Sequence, residues 1–216
     1  MTRVLAISDE VLGEGYRKMF GDLDVDLVVS CGDLPHDYLE DVMNELMVPL
    51  VWVPGNHDRT LPKNIDDRFE FAPVLAQPDP VYSCGIPADG RIVEVAGLRI
   101  AGLGGSPRYN NGPFQYTESQ MRWRSLKLEI KARLAALRGR PVDLLIAHAP
   151  ARGWGDDDDK AHRGFQSFRR LVRAIRPRFF VHGHIHPHGN KRPDLKAGVT
   201  TVINAVGYRL LEVEGR

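Results

Sequence analysis

The chain opens with short apolar runs separated by polar turns. Arg3-Val4-Leu5-Ala6-Ile7-Ser8, Asp26-Leu27-Val28-Val29-Ser30 and Leu50-Val51-Trp52-Val53 are nearly continuous apolar stretches of strand length. That pattern predicts strands buried on both faces. Helical spacing lies between them: Tyr16, Met19 and Phe20 predict one short helix, and Leu39, Val42, Met43 and Leu46 predict another. Strand–turn–helix units repeated in this way predict βαβ connections and a parallel sheet. The middle is less regular. Pro73 to Pro80 reads as loop, and Arg91–Val95 and Leu98–Gly102 flank Ala96-Gly97 as the arms of a hairpin. Thr117 to Gln120 matches a capping box. The helix it opens carries Trp123, Leu126, Ile130, Leu134 and Leu137 on one stripe, expected to face the core, and Gly139 ends it. Its basic positions, Arg122, Arg124, Lys127, Lys131 and Arg133, are expected to be solvated. Val142 to Ala147 predicts a further buried strand. Phe165, Phe168, Leu171, Val172 and Ile175 predict a helix on the core, followed by strands at Arg178–Val181, Val199–Ile203 and Tyr208–Val213.

Chemistry enters at the polar turns. Asp9 follows the first run, Gly32-Asp33 the second, and Gly55-Asn56-His57-Asp58 the third. Ligands of parallel sheets bind at the C-terminal strand ends, so these residues are expected to share one edge. His148 ends the strand at 142–147. The last such turn, His182-Gly183-His184-Ile185-His186-Pro187-His188, holds four of the chain's eight histidines. Alternate residues of an extended segment share a face, and neutral imidazole binds divalent metals. A histidine-rich polar loop is the competing reading, and the recurrence of donors at other strand ends favours the metal. Asp9, Asp33, Asn56, His148, His184 and His186 are too many ligands for one tetrahedral ion. They suit two ions sharing a carboxylate, and the mixed oxygen–nitrogen set suits Mn, Fe or Zn. Two metals about 3.5–4 Å apart form the clamp for in-line attack at phosphorus.

Composition narrows the setting. With 216 residues the chain is long enough for one substantial core, and a single domain over 1–216 is expected. A net charge of +1 gives no electrostatic case for nucleic acid or membrane. Cys31 and Cys84 form neither a disulfide framework nor a CxxC site, so a reducing, cytoplasmic location is expected. The first residues lack the apolar stretch of a signal peptide, and no run approaches the roughly 20 residues that span a bilayer.

Asp9, Gly32-Asp33, Gly55-Asn56-His57-Asp58, His148 and Gly183-His184-Ile185-His186 resemble the ordered blocks of the calcineurin-like metallophosphoesterases. Each block is short, but the ordered set spans nearly the whole chain. The resemblance implies an α/β fold, a four-layer αββα sandwich of two mixed sheets flanked by helices. It implies a metal-dependent phosphoesterase acting on a phosphomono- or phosphodiester through metal-bound hydroxide. Asp33 would bridge two ions, Asn56, His148 and His184 would hold one, and Asp9 and His186 the other. His57, oriented by Asp58, would stabilise the transition state or protonate the leaving alkoxide. Arg59, Arg108 and His162 are candidate substrate contacts, weighed against ordinary surface roles. His182 and His188 fall outside the ligand set, and Cys31 reads as core packing.

One departure matters. The family's first block is Asp-any-His, whereas here it is Asp9-Glu10-Val11. Three accounts of the gap compete. Glu10 supplies an oxygen, although strand alternation points it away from Asp9. Water fills the position and leaves a weaker ion, the account preferred. Or the first site is empty. The gap also motivates a second class of function, a catalytically silent scaffold that binds protein, as a retromer subunit resembling these enzymes does. The retained His57 argues against it.

Overall fold

The computed structural model describes residues 1–13, 23–58, 85–187 and 193–215. Strand β1 (Thr2–Ser8) shows why the apolar runs are continuous. Its Val4 and Ala6 enter a central core with Leu27, Val29, Val51, Ile100, Ile146 and Val181. Its Leu5 and Ile7 point the opposite way, onto Val28, Leu39, Val42 and Trp52. Both faces are therefore buried, and alternation distributes one strand between two cores.

The remaining strands of the first sheet are β2 (Leu27–Ser30), β3 (Leu50–Trp52), β4 (Ile86–Pro87) and β13 (Gly207–Val213). Their order is β13-β1-β2-β3-β4, with β13 antiparallel to β1 and the others parallel. The second sheet contains β5 (Ile92–Val95), β6 (Leu98–Leu103), β9 (Leu144–Ala147), β10 (Phe179–His182), β11 (Leu195–Ala197) and β12 (Thr200–Asn204). Its order is β11-β12-β10-β9-β6-β5, parallel in the centre and antiparallel at both edges. A small parallel pair, β7 (Ser106–Pro107) and β8 (Gln115–Tyr116), stands apart.

Helices complete the layers. Helix α1 (His36–Leu46) covers the first sheet through Tyr38, Leu39 and Val42. Helices α2 (Glu118–Leu137) and α3 (Gln166–Ile175) cover the second through Met121, Leu128, Phe168 and Leu171. The two sheets meet in the central core, so the order is helix, sheet, sheet, helix, as the resemblance implied. The hairpin turns at Ala96 (φ 50°) and Gly97 (φ 76°), the paired positive angles of a tight two-residue turn. The capping box at Thr117 is present, with Gln120 bonding back to the cap backbone. The helix expected at Tyr16–Phe20 and the loop at Pro73–Pro80 lie outside the described residues.

One expectation fails. The stripe of α2 expected in the core faces outward: Trp123 is 65% exposed, Ile130 52%, Leu134 53% and Leu137 84%. The inward face carries Met121, Ser125, Leu128, Glu129 and Ala132, on the opposite side of the helix. Ala132 shares a buried cluster with Phe168 and Leu171 of α3. Glu129 is tolerated there because Arg133 (2.9 Å) and Arg170 (3.4 Å) neutralise it. Glu118 is also engaged, accepting Gln166 N–H (3.1 Å) and Ser167 N–H (2.8 Å) at the start of α3. Both acidic residues of α2 thus serve the packing of α3.

This reversal of faces is measurable by urea unfolding. Leu128→Ala is expected to cost about 2–5 kcal/mol. Leu134→Ala should stay within about 0.5 kcal/mol, and Thr117→Ala should cost about 1 kcal/mol.

Candidate metal centre

The strand ends of the two sheets meet at one edge. Asp9 N–H reaches Gly32 C=O (3.2 Å), joining the ends of β1 and β2, and Gly183 N–H reaches His148 C=O (2.9 Å), joining β10 and β9. Three residues at these turns, Asp9 (φ 61°), Asp33 (φ 56°) and His184 (φ 68°), are left-handed. That conformation is costly for a side-chain-bearing residue and persists where surrounding bonds enforce it. Two glycines supply the room. A Cβ on Gly183 would overlap Ser8 Oγ and the Asp9 carboxylate, and one on Gly55 would overlap the Asp33 carboxylate.

Within this edge Asp9, Asp33, His148 and His184 bring potential ligand atoms to within 4.8 Å of one another. His148 is fully buried. Its Nδ1 lies 2.8 Å from Cys31 C=O, and its Nε2 faces Asn56 Oδ1 (3.0 Å) and Asp33 Oδ2 (3.3 Å). Asn56 is held in turn by its Nδ2 donating to Tyr109 Oη (3.1 Å). The backbone N–H of His184 donates to Asp9 Oδ2 (2.8 Å), and its Nε2 donates to Ala161 C=O (2.9 Å). Its lone pair is therefore on Nδ1. Each of these imidazoles thus gives one nitrogen to a backbone carbonyl, the outer bond that fixes the tautomer of a metal-ligating histidine.

His186 stands at the rim, with its side chain 49% exposed. Its Nε2 is 3.9 Å from Asp9 Oδ1, and its Nδ1 is 3.5 Å from Glu10 Oε1. Strand alternation predicted that Glu10 would point away. The left-handed turn at Asp9 ends that alternation and brings Glu10 beside His186. Glu10 meets the nitrogen of His186 that faces away from Asp9, the position of a carboxylate that orients a ligand.

The other expected site residues are placed as follows. His57 is exposed, with its backbone N–H on Asp33 Oδ1 (2.8 Å). Asp58 Oδ2 accepts Gly55 N–H (2.7 Å) and Asp33 N–H (3.2 Å). These bonds shape the loop that presents Asn56 and His57. His162 packs on His184, ring centres 5.2 Å apart, and is held by Asp159 (2.9 Å). Arg108 turns to Gln120 (3.2 Å) at the start of α2. His182 is buried against Phe180, and Cys31 is a core thiol whose pKa burial pushes up. Arg59 and His188 lie outside the described residues. Tyr109 was missed: a lone tyrosine in a polar loop carries no sequence signal, and the fold alone brings it to Asn56.

Burial sets the electrostatics. It raises Asp9, against the opposing effects of His148, the Ser8 hydroxyl and the His184 N–H. It raises Asp58 also. For His148 burial disfavours the charged ring, but the bond to Asp33 and the charges of Asp9 and Asp33 prevail and lift it to about 9. Asp33 is held low despite burial by the same bond. His184 is pushed down to about 3 by burial and by the positive charge of His148. A divalent ion among these carboxylates would take the place of the His148 proton. The donor set therefore fits such an ion.

A family model described as calcineurin-like phosphoesterase matches residues 3–188. The chain belongs to the calcineurin-like phosphoesterases. Two solved structures share the fold. One, of TT1561 of Thermus thermophilus, aligns at 16% identity and TM-score 0.60 over 99% of this chain and 97% of that chain. Another reaches TM-score 0.65 at 16% identity over 99% and 98%. A structure of Vacuolar Protein Sorting 29 from Cryptosporidium parvum aligns at 14% identity and TM-score 0.45 over 95% of this chain and 74% of that chain. No curated protein sequence matches the chain. Among the described residues, no helix is long and apolar enough to cross a membrane.

Two outcomes follow from this geometry. The raised His148 stabilises the metal-free fold below its ordinary value of 6.5, and that stability is lost as pH rises through about 9. Thermal melts of chelated protein should therefore fall between those pH values in wild type and stay flat in His148→Ala. Gly183→Ala should abolish tight metal uptake in calorimetry, because its methyl displaces Asp9.

Proposed function

We propose that this protein is a metal-dependent phosphohydrolase of phosphomono- or phosphodiesters that works with two divalent ions, one bound more weakly. The observation that carries the reading is the cluster of half-buried Asp9 and Asp33 with buried His148 and His184, and exposed His57 on the adjoining loop. Bound divalent ions polarise a phosphoryl oxygen and activate water.

The chain's own groups divide the remaining tasks. Asp33 would serve both positions. Asn56, His148 and His184 would hold the inner ion, His148 with Nε2 and His184 with Nδ1 left free of their backbone-carbonyl bonds. Asp9 and His186 would hold the outer one, more weakly because Val11 stands where a histidine ligand would be. Glu10, 3.5 Å from His186 Nδ1, would help keep Nε2 turned toward Asp9. His57 stands exposed, where its ring can donate a proton to the leaving oxygen. His162, packed on His184, borders the space a phosphate enters. Mn²⁺ is the ion of choice for the first assay, given the mixed carboxylate and imidazole donors.

The test is hydrolysis of an aryl phosphodiester and an aryl phosphomonoester. Activity should appear with added Mn²⁺ and vanish in chelator. Asp33→Ala or His148→Ala should lower kcat/KM by at least about 100-fold, and a loss below about tenfold overturns the reading. Elemental analysis that finds no metal after loading points instead to a silent, protein-binding member of the family. Titration should show two classes of Mn²⁺ site. Glu10→Gln should weaken the looser one by about 10–100-fold and leave the tighter one unchanged, and Val11→His should strengthen the looser one.

A further inference from the structure

The outward stripe of α2 takes no part in the metal centre. Of the ten large apolar residues that stand exposed among the described residues, four (Trp123, Ile130, Leu134 and Leu137) lie on this one face. With Leu126, half-buried beside them, their spacings are 3, 4, 4 and 3 residues. At about 100° per residue they occupy an arc of roughly 80°, and at 1.5 Å per residue they run for about 21 Å. Scattered exposed apolar residues need no account, but a contiguous row does. An arc this narrow is the width of a helix–helix seam; a face that beds into a core or a bilayer surface is broader.

The borders of the seam carry one sign of charge. Helical geometry places Arg122 and Arg133 along one border and Lys127, Lys131 and Arg138 along the other. All five are exposed. The helix has two acidic residues, Glu118 and Glu129, and both are engaged with α3 or a neighbouring arginine, Glu118 capping α3 and Glu129 bridging Arg133 and Arg170. A second copy of this chain laid on the seam would set basic borders against basic borders, which opposes association. A helix with apolar residues at the seam and carboxylates on both sides complements the face in shape and in charge. Trp123, at the N-terminal end of the seam, is the side chain of greatest area in it and the natural anchor.

We infer that the exposed face of α2 is a docking site for an amphipathic helix with acidic flanks, supplied by a partner protein. Binding is through the seam of Trp123, Ile130, Leu134 and Leu137, with the basic borders setting specificity. The site lies outside the metal ligands, so its occupancy and the phosphoesterase reading stand or fall separately.

The test uses the full chain and two synthetic helical peptides of about three heptads, with leucine and isoleucine at the seam positions. One carries glutamate on both flanks, the other lysine. Fluorescence anisotropy should show the glutamate peptide binding at least about tenfold more tightly than the lysine peptide. Raising NaCl from about 0.05 to 0.5 M should weaken it. Leu134→Asp and Trp123→Ala should each weaken it by at least about tenfold. The double variant Lys127→Glu/Lys131→Glu, which keeps the apolar seam intact, should reverse the preference between the peptides. Melting temperature and Mn²⁺ uptake should stay unchanged in all three variants. Equal binding of the two peptides, or binding that survives Leu134→Asp, overturns the inference. So does a blue shift of Trp fluorescence on phosphatidylglycerol vesicles without peptide binding, which would make the face a membrane contact. Sedimentation showing a dimer that Leu134→Asp dissolves would also overturn it, in favour of a second copy.

Discussion

The hydrogen bond between His148 and the Cys31 carbonyl joins the two halves of the sandwich. It runs from the end of a strand in the second sheet to the end of a strand in the first, and it is fully buried. It gives the imidazole one outer partner and leaves the other nitrogen to Asn56 and Asp33. Cys31 Sγ lies 3.6 Å from the Val181 carbonyl beside it, a second contact between the same two edges. If the sheets slid by one residue, this bond and the ligand cluster would be lost together. The stability of the sandwich and the integrity of the site therefore rest on the same register.

The close approach of the turns has a steric condition. Asp9, Asp33 and His184 turn left-handed so that three chains can bend at one place, and Gly55 and Gly183 leave room for the carboxylates they pass. Backbone donors then hold the carboxylates in place: His184 N–H on Asp9, His57 N–H on Asp33, Gly55 N–H on Asp58. The arrangement concentrates buried negative charge, and the protonated form of His148 offsets part of it when no cation is present.

Much of this was legible from residue order. Continuous apolar runs are a strong signal for strands buried on both faces, because no polar side chain can be hidden on either. Donors that follow such runs must gather where parallel strands end. Other parts were not legible. The seam of α2 has the spacing of a core face, and only tertiary packing of Met121, Leu128 and Ala132 with α3 and the second sheet decides that the opposite side goes in. Glu10 depends on one dihedral angle at Asp9, which no pattern of residue types reveals. The tasks of Asp58 and Tyr109 are bonds between distant or backbone groups, and sequence spacing carries neither.

The bond from His184 to the Ala161 carbonyl links two properties usually treated as separate. Residues 151–165 border the space beside the cluster, and Asp156 holds them in shape by accepting Gly153 N–H (2.7 Å) and Gly164 N–H (3.0 Å). The same segment orients one of the imidazoles of the cluster. A change in the length of this segment also disturbs the orientation of His184. The shape of this loop and the orientation of one candidate ligand are therefore coupled in this chain.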